Sequence, residues 1–273
     1  MDPLLQKRIQ RYGWDKAAEY YELYWMQQLE PAQTKLLEMV SLKTGDSVVD
    51  IACGSGAFTF RIANSVGKEG RVMATDISDN MVAMASRMAS EKKLENVEFI
   101  RMDAEALDIG NALYDASICS LGLMYVPDAE KAIREMYRVV KPGGRAIASV
   151  WGQRSRCGWA DIFPIVESRV KSEVCPLFFQ LGSGLTMEKT FVDAGFSGVY
   201  TERISTLLHY ASAEEACGAA FAGGPVALAY SRFDEKMRKE AFADYLTSIA
   251  NFKNGEGFSI PGEFVITIGL KDS

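Results

Sequence analysis

The chain has 273 residues, 48% of them apolar and 24% charged, an ordinary globular composition that is long enough to bury a large core and excludes disorder or a collagen repeat. Thirty-six acidic against 30 basic side chains leave a formal charge of −6. Proteins whose main partner is duplex nucleic acid usually carry a basic balance, because phosphate contacts dominate that affinity, so the charge argues for another partner.

From Trp14 to Leu29 the sequence has helical spacing, with Tyr20, Tyr21, Tyr24 and Trp25 on it. Pro31 then reads as the start of a second helix to Val40. Beyond that, short apolar runs alternate with helical segments. Ser47 to Ile51, Arg71 to Thr75, Val97 to Ile100, Ala116 to Cys119 and Arg145 to Val150 read as strands. Ala57 to Val66, Asp79 to Glu91 and Asp128 to Val139 read as helices, the last stopped by Lys141-Pro142-Gly143-Gly144. This rhythm implies right-handed crossovers and a doubly wound, mostly parallel α/β sheet of seven strands, Rossmann-like, with helices on both faces. After Trp151 come helices near Trp159 to Lys171 and Thr186 to Ala194, and a strand from Gly198 to Tyr210. Mostly helical sequence continues to Ile249, and Glu263 to Leu270 is a last strand. Three parts are expected: an N-terminal helical lid (1–40), an α/β core (41–152), and a sheet-completing part (153–273) whose helical insertion at 212–254 caps the substrate.

The five cysteines, Cys53, Cys119, Cys157, Cys175 and Cys217, form no Cys-x-x-Cys pair, and His209 is the only histidine, so no metal is expected. The cysteines read as reduced packing residues. Lys7, Arg8 and Arg11 are followed by no apolar run with a cleavage site, and the longest uncharged stretch, Ala216 to Ser231, is broken by Gly223, Gly224 and Pro225. A cytoplasmic protein without a membrane span is expected.

The stretch Val48 to Phe58 is a buried strand that breaks into a turn with Gly54 and Gly56 and continues as a helix. Such a turn lets a ligand lie against backbone N–H groups. The dinucleotide fingerprint needs a third glycine where Thr59 stands, which shifts the reading from NAD or FAD to another adenosine ligand. Asp76, 20 residues after Gly56, ends the second strand, where a carboxylate accepts hydrogen bonds from both ribose hydroxyls. Asp103 follows the third strand, where the amine of an adenine finds an acceptor.

With these residues the chain resembles the class I S-adenosylmethionine-dependent methyltransferases, and within them the ubiquinone and menaquinone C-methyltransferases. The resemblance covers roughly residues 41 to 152 and rests on Asp50 through Gly56, Asp76, Asp103-Ala104 and Met136 through Gly144. It implies that Ala52, Gly54 and Gly56 border the methionine part of S-adenosylmethionine, that Asp76 binds its ribose, and that Ile77 and Met81 flank the adenine. Asp103 and the Ala104 amide meet the polar edge of the base, and Ser120 lies beside the sulfonium. Asp50 organises the amides of the loop. Tyr20, on the N-terminal helix that often closes over the cofactor in this family, is the preferred lid contact. Where the quinone enzymes have a Gly-x-Arg-Asn pattern this chain has Leu121 to Asp128, and the 212–254 insertion has no counterpart in them. The acceptor is therefore not inherited from them.

Met124, Tyr125, Trp151, His209 and Phe221 are the candidate substrate-pocket residues, with His209 and Tyr125 the candidate general bases. Arg134, Arg138, Lys141 and Arg145 read as a solvated face. The amino-directed nucleic-acid motif Asn-Pro-Pro-Tyr is absent after the fourth strand. The expected activity is in-line transfer of a methyl group to a small molecule, by a monomer or homodimer. The competing readings are a non-catalytic cofactor-binding sensor or scaffold, and a protein or RNA methyltransferase.

Overall fold

A single helix, α1, runs from Pro3 to Val40. The structure, a computed structural model, describes residues 3–170 and 178–273. Pro31 does not open a second helix; it lies inside α1. A proline there forfeits the hydrogen bond to the carbonyl four residues back. The row Trp25, Leu29, Ala32, Leu36 and Val40, all buried, offsets that loss.

The predicted alternation follows as β1 (Ser47–Ile51), α2 (Ala57–Val66), β2 (Arg71–Asp76), α3 (Asp79–Glu91), β3 (Val97–Arg101), β4 (Tyr114–Ser120), α4 (Ala129–Val139) and β5 (Val140–Trp151). Local chemistry sets the boundaries. Gly56 (φ 83°) and Gly67 (φ 68°) bracket α2, Ser78 Oγ caps α3 by accepting from the Met81 N–H at 3.1 Å, and Asp128 caps α4 by accepting from the Lys131 N–H at 2.9 Å. β5 starts five residues earlier than the expected Arg145. Val140 pairs with Tyr114 across a bulge, and Gly143 and Gly144 exchange hydrogen bonds with Lys271, so the Lys-Pro-Gly-Gly segment joins the strand.

The second half continues as α5 (Ile162–Glu167), α6 (Thr186–Asp193), β6 (Ser197–Tyr210), α7 (Ala213–Phe221), α8 (Ala227–Tyr230), α9 (Glu235–Ser248), β7 (Lys253–Asn254) and β8 (Gly257–Leu270). α5 is shorter than expected, with Trp159 in the turns before it; Lys171 and Cys175 lie outside the described residues. The strand order is β3-β2-β1-β4-β5-β8-β6, with the short β7 on β8. β1 to β5 are parallel, and β8 runs antiparallel to both β5 and β6. β8 begins six residues before the expected Glu263 and contains Pro261. β5 pairs with β8 only from Phe264 onward, so Pro261 has β6 on one side and no ladder to serve on the other.

The inner strands β1, β4, β5 and β8 are buried on both faces over most of their length, which is why they read as near-continuous apolar runs. Val48, Ile118 and Ile147 pack with α2 and the end of α1, whereas their neighbours Val49, Cys119 and Ala148 join the larger core that extends under α4 to α9. α7 and α8 pack against α1, so the insertion stands beside the N-terminal helix. No helix among the described residues is long and apolar enough to cross a membrane.

Candidate active site

The chain leaves β1 for β2 on one side and reaches β4 on the other, so the sheet reverses direction between β1 and β4. The carboxyl ends of these strands flank the crevice where open α/β sheets bind ligands. After β1 the backbone turns through Ala52 (φ 57°) and Gly54 (φ 57°), both left-handed. The N–H of Gly54 donates to Asp76 Oδ2 at 2.8 Å and that of Ser78 to Asp76 Oδ1 at 2.9 Å. The carboxylate ending β2 is thus locked to the glycine loop. The Ile77 N–H also reaches this carboxylate, which has about four acceptor positions, so room is left for a ligand hydroxyl. Burial pushes the Asp76 pKa up, and the N–H groups of Ser78 and Gly54 pull it partly back.

On the other side of the loop, Gly122 makes room. A Cβ there would stand 2.5 Å from the Ala52 Cβ and 2.8 Å from Cys119 Sγ, so the segments after β1 and β4 approach as closely as they do only because this residue is glycine. Ser120, at the end of β4, has an Oγ that is buried with no hydrogen-bond partner among the described residues.

β3 delivers Asp103, whose Oδ1 accepts from the Glu105 N–H at 2.9 Å. Its Oδ2 meets the ammonium of Lys7 at 2.7 Å, and Lys7 also meets Glu105 Oε2 at 2.7 Å. Burial alone would depress the Lys7 pKa; the hydrogen bonds from Asp103 and Glu105 outweigh it and raise it. One and two turns further along α1, Arg11 pairs with Asp79, and Asp15 accepts from Ser78 Oγ and from the Asn80 N–H. Three successive turns of α1 are therefore fastened across the ends of β2 and β3.

Under this clasp lies a cavity walled by α1, the strand ends and the turn between α7 and α8. Of the residues expected from sequence to hold the cofactor, Ala52, Gly54, Asp76, Ile77, Met81, Asp103, Ala104 and Ser120 line it, and of the expected pocket residues Met124, Tyr125 and Trp151 do. Tyr125 packs on Trp14 (4.9 Å between ring centroids) and on Phe178 (5.3 Å).

Five expectations need correction. His209 is exposed on the β6 edge, in a separate surface groove, with Nδ1 3.1 Å from Ser259 Oγ; strand alternation turns it away from the cavity. Phe221 is fully buried among Tyr230, Phe242 and Tyr245 and props the insertion instead of lining the cavity. Tyr20 lies 41% exposed on the outer side of α1, and Tyr21 takes the inner position. Gly56 stands behind the loop, where a Cβ would meet Ala85, Phe60 and Phe99 at 3.0–3.1 Å; it is a packing glycine that starts α2. Asp50 holds the Thr59 hydroxyl at 2.6 Å instead of the loop amides, and burial pushes its pKa up to about 7.

Sequence reading missed Lys7, Gln10, Trp14, Tyr21, Trp25 and Leu29, which form the cavity face of α1, together with Trp159 and the Gly223-Gly224-Pro225 turn between α7 and α8. The signal for the first group was present: 7, 10, 14, 21, 25 and 29 repeat at the helical period, and 20 does not fit it. Nothing local marks the others, which reach the cavity through long-range packing. The Arg134 to Arg145 run is no free basic patch. Arg134 pairs with Glu130, Arg138 with Glu135, Lys141 with Asp115 and Arg145 with Asp46.

A mostly parallel sheet with one long antiparallel strand, β8, between β5 and β6, a glycine loop after β1 and acidic residues ending β2 and following β3 together resemble the core of class I S-adenosylmethionine-dependent methyltransferases. Residues 21–154 match the model of the ubiE/COQ5 methyltransferase family. The chain is 39% identical over 112 residues to the ubiquinone/menaquinone biosynthesis C-methyltransferase UbiE of Klebsiella pneumoniae, covering 41% of this chain and 45% of that one. It is 35% identical over 115 residues to the demethylmenaquinone methyltransferase of Lactococcus lactis, covering 42% and 46%. The aligned part thus spans about half the length of these curated relatives. The fold extends further. Haemonchus contortus phosphoethanolamine N-methyltransferase 2, solved with S-adenosyl-L-methionine, superposes with a TM-score of 0.63 at 16% identity over 95% of this chain and 57% of that one.

Proposed function

We propose that this protein is an enzyme that uses S-adenosylmethionine to methylate a small, largely apolar molecule enclosed between the strand ends, α1 and the 212–254 helices. One observation carries the reading: Gly54, Asp76, Asp103 and Ser120, from four separate strand ends, line one cavity, and the Ser120 Oγ there is buried without a partner among the described residues. A buried hydroxyl of that kind fits a polar ligand group such as an amino-acid tail. Asp76 offers its remaining acceptor capacity to a ribose hydroxyl, Asp103 and the Ala104 amide face the polar edge of the base, and Ile77 and Met81 cover its faces.

Bound there, S-adenosylmethionine supplies a methyl group already activated on a sulfonium. The work left to the chain is to orient the acceptor atom in line and to exclude water. α1 does the second as a lid, held by Lys7, Arg11 and Asp15. Tyr125, Trp151 and Met124 do the first as walls, and no base is needed for an acceptor that arrives ionised. The relatives' names make cyclic quinols the first acceptors to test. A cytoplasmic setting belongs to the same proposal, supported by Cys53, Cys119, Cys157 and Cys217, all unpaired.

Calorimetric titration with S-adenosylhomocysteine tests the reading. Binding near the micromolar range is expected for the wild type. Asp76→Ala is expected to weaken it about 100-fold, because the variant loses the ligand's acceptor and leaves the Gly54 and Ser78 amides unpaired. Methyl incorporation into a panel of quinols, phenols, thiols and amines then separates an enzyme from a binding protein. Absence of wild-type binding removes the proposal.

A further inference from the structure

Among the described residues, three polar side-chain atoms that are buried without a hydrogen-bond partner belong to residues lining this one cavity: Ser120 Oγ, Trp25 Nε1 and Trp159 Nε1. Native chains rarely leave such atoms unpaired, so each calls for an account. Ser120 stands with the strand ends assigned above to the cofactor. The two indoles have another neighbourhood, formed by Trp151, Leu29 and the Gly223-Gly224-Pro225 turn.

Among the described residues, that neighbourhood has no charged side chain. The charged side chains lining the cavity are Lys7, Asp76 and Asp103, all at the cofactor end. Trp25 comes from α1 and Trp159 from the turns before α5; their rings lie 6.2 Å apart between centroids, and Trp151 stands 5.9 and 5.0 Å from them. Trp25 and Trp159 are only 6% and 3% exposed, so solvent does not serve their N–H groups. Gly223 keeps the space beside Trp25 open, since a Cβ there would stand 3.3 Å from Nε1.

An indole N–H donates and cannot accept. Two such donors suit a carbonyl, phenolate or enolate oxygen on a flat ring system, and an indole N–H edge, unlike an indole face, does not attract an ammonium group. We propose that Trp25 and Trp159 form a two-donor site for an oxygen of the methyl acceptor, and so select oxygen-bearing planar acceptors over amines; this rests on the transferase reading above. Two such donors partly offset the cost of bringing a phenolate or enolate oxygen into an apolar chamber.

The test reads the indole protons directly. The chain has four tryptophans, so ¹H–¹⁵N spectra of the full-length protein give four indole signals, assigned through single Trp→Phe variants. The probes are 1-tetralone and tetralin, a matched ketone and hydrocarbon, each titrated with and without S-adenosylhomocysteine. With the ketone, the Trp25 and Trp159 signals are expected to move downfield and the Trp14 signal to stay; tetralin should produce no downfield shift. Trp25→Phe and Trp159→Phe should each weaken ketone binding about tenfold and leave tetralin binding unchanged. If either variant fails to fold, the wild-type shifts decide. Identical responses to both probes, or no response to the ketone, overturn the site. Calorimetry with S-adenosylhomocysteine on the same samples keeps the two readings apart. Normal cofactor binding with silent indoles removes only the two-donor site. Responsive indoles without cofactor binding remove the transferase reading.

Discussion

The two ends of the cavity handle polarity in opposite ways. At the cofactor end the acidic groups are already committed before any ligand arrives: Asp76 to the amides of Gly54 and Ser78, and Asp103 to Lys7 and the Glu105 amide. At the other end the walls are aromatic, and the indole donors of Trp25 and Trp159 have no partner among the described residues. A ligand common to a whole family can be met by fixed backbone and carboxylate geometry on rigid strand ends. A ligand particular to one protein would, in the function proposed above, be met by side chains from α1, the turns before α5 and the insertion. In that function, the difference separates what would hold the cofactor from what would choose the acceptor.

The sharpest way to separate the ends is to damage the frame of one. Phe221 is fully buried and stacks on Phe242, with ring centroids 5.0 Å apart, inside the insertion. Phe221→Ala should cost about 3–5 kcal/mol of stability, read from denaturant unfolding. S-adenosylhomocysteine affinity at low temperature should change by less than about twofold. A large loss of cofactor affinity would show that the insertion also shapes the cofactor end.

Asp50 gives a pH-dependent contrast. Its folded pKa, about 7, lies above the ordinary value of 3.8, so the folded state holds a proton that the unfolded state releases. The sign follows: stability falls as pH rises from about 4 to about 7 and is flat above, by at most about 4 kcal/mol from this group. Asp50→Asn should remove that slope and keep a hydrogen bond to Thr59. An unchanged slope in the variant would mean that another carboxyl carries it.

How far these features were legible in the sequence follows the same division. Strand and helix boundaries from β1 to α4 came within a few residues, because buried parallel strands are unbroken apolar runs and Gly56, Ser78 and Asp128 punctuate them with known chemistry. Gly54, Asp76, Asp103 and Ser120 were readable because the topology puts consecutive strand ends together. Trp159 and the Gly223 turn were not, since no local pattern says which distant segment packs over the crevice. Pro31 misled for a related reason: local propensity favours a break, and only the tertiary burial of Leu29, Ala32 and Leu36 overrides it.

Lys7 tests whether the clasp serves the cofactor end. Lys7→Met keeps the apolar stem and removes the ammonium from Asp103 and from the nearly buried Glu105. A loss of about fivefold in S-adenosylhomocysteine affinity is expected, in line with a hydrogen-bonded ion pair that is partly buried. Because the Lys7 pKa is raised above 10.5, the clasp should be constant from pH 5 to 9 and be lost only in stronger base. A gain in affinity would mean instead that the ammonium occupies an Asp103 oxygen that the ligand needs.

The smallest expected effect is the most discriminating for mechanism. His209 is the only imidazole in the chain, and a methyl transfer that needed a base of that kind would have to use it. Its backbone is tied to α1, with its N–H donating to Gln28 Oε1 at 2.9 Å, while its ring lies on the outer groove beside Ser259. His209→Gln preserves the backbone pairing and a polar side chain. Turnover with any acceptor that the wild type accepts should stay within about twofold, and the pH–rate profile should keep its shape between pH 6 and 8. A lost acid limb in that profile would require the β6 edge to reach the cavity, which would break the division between a fixed cofactor end and an uncharged acceptor end.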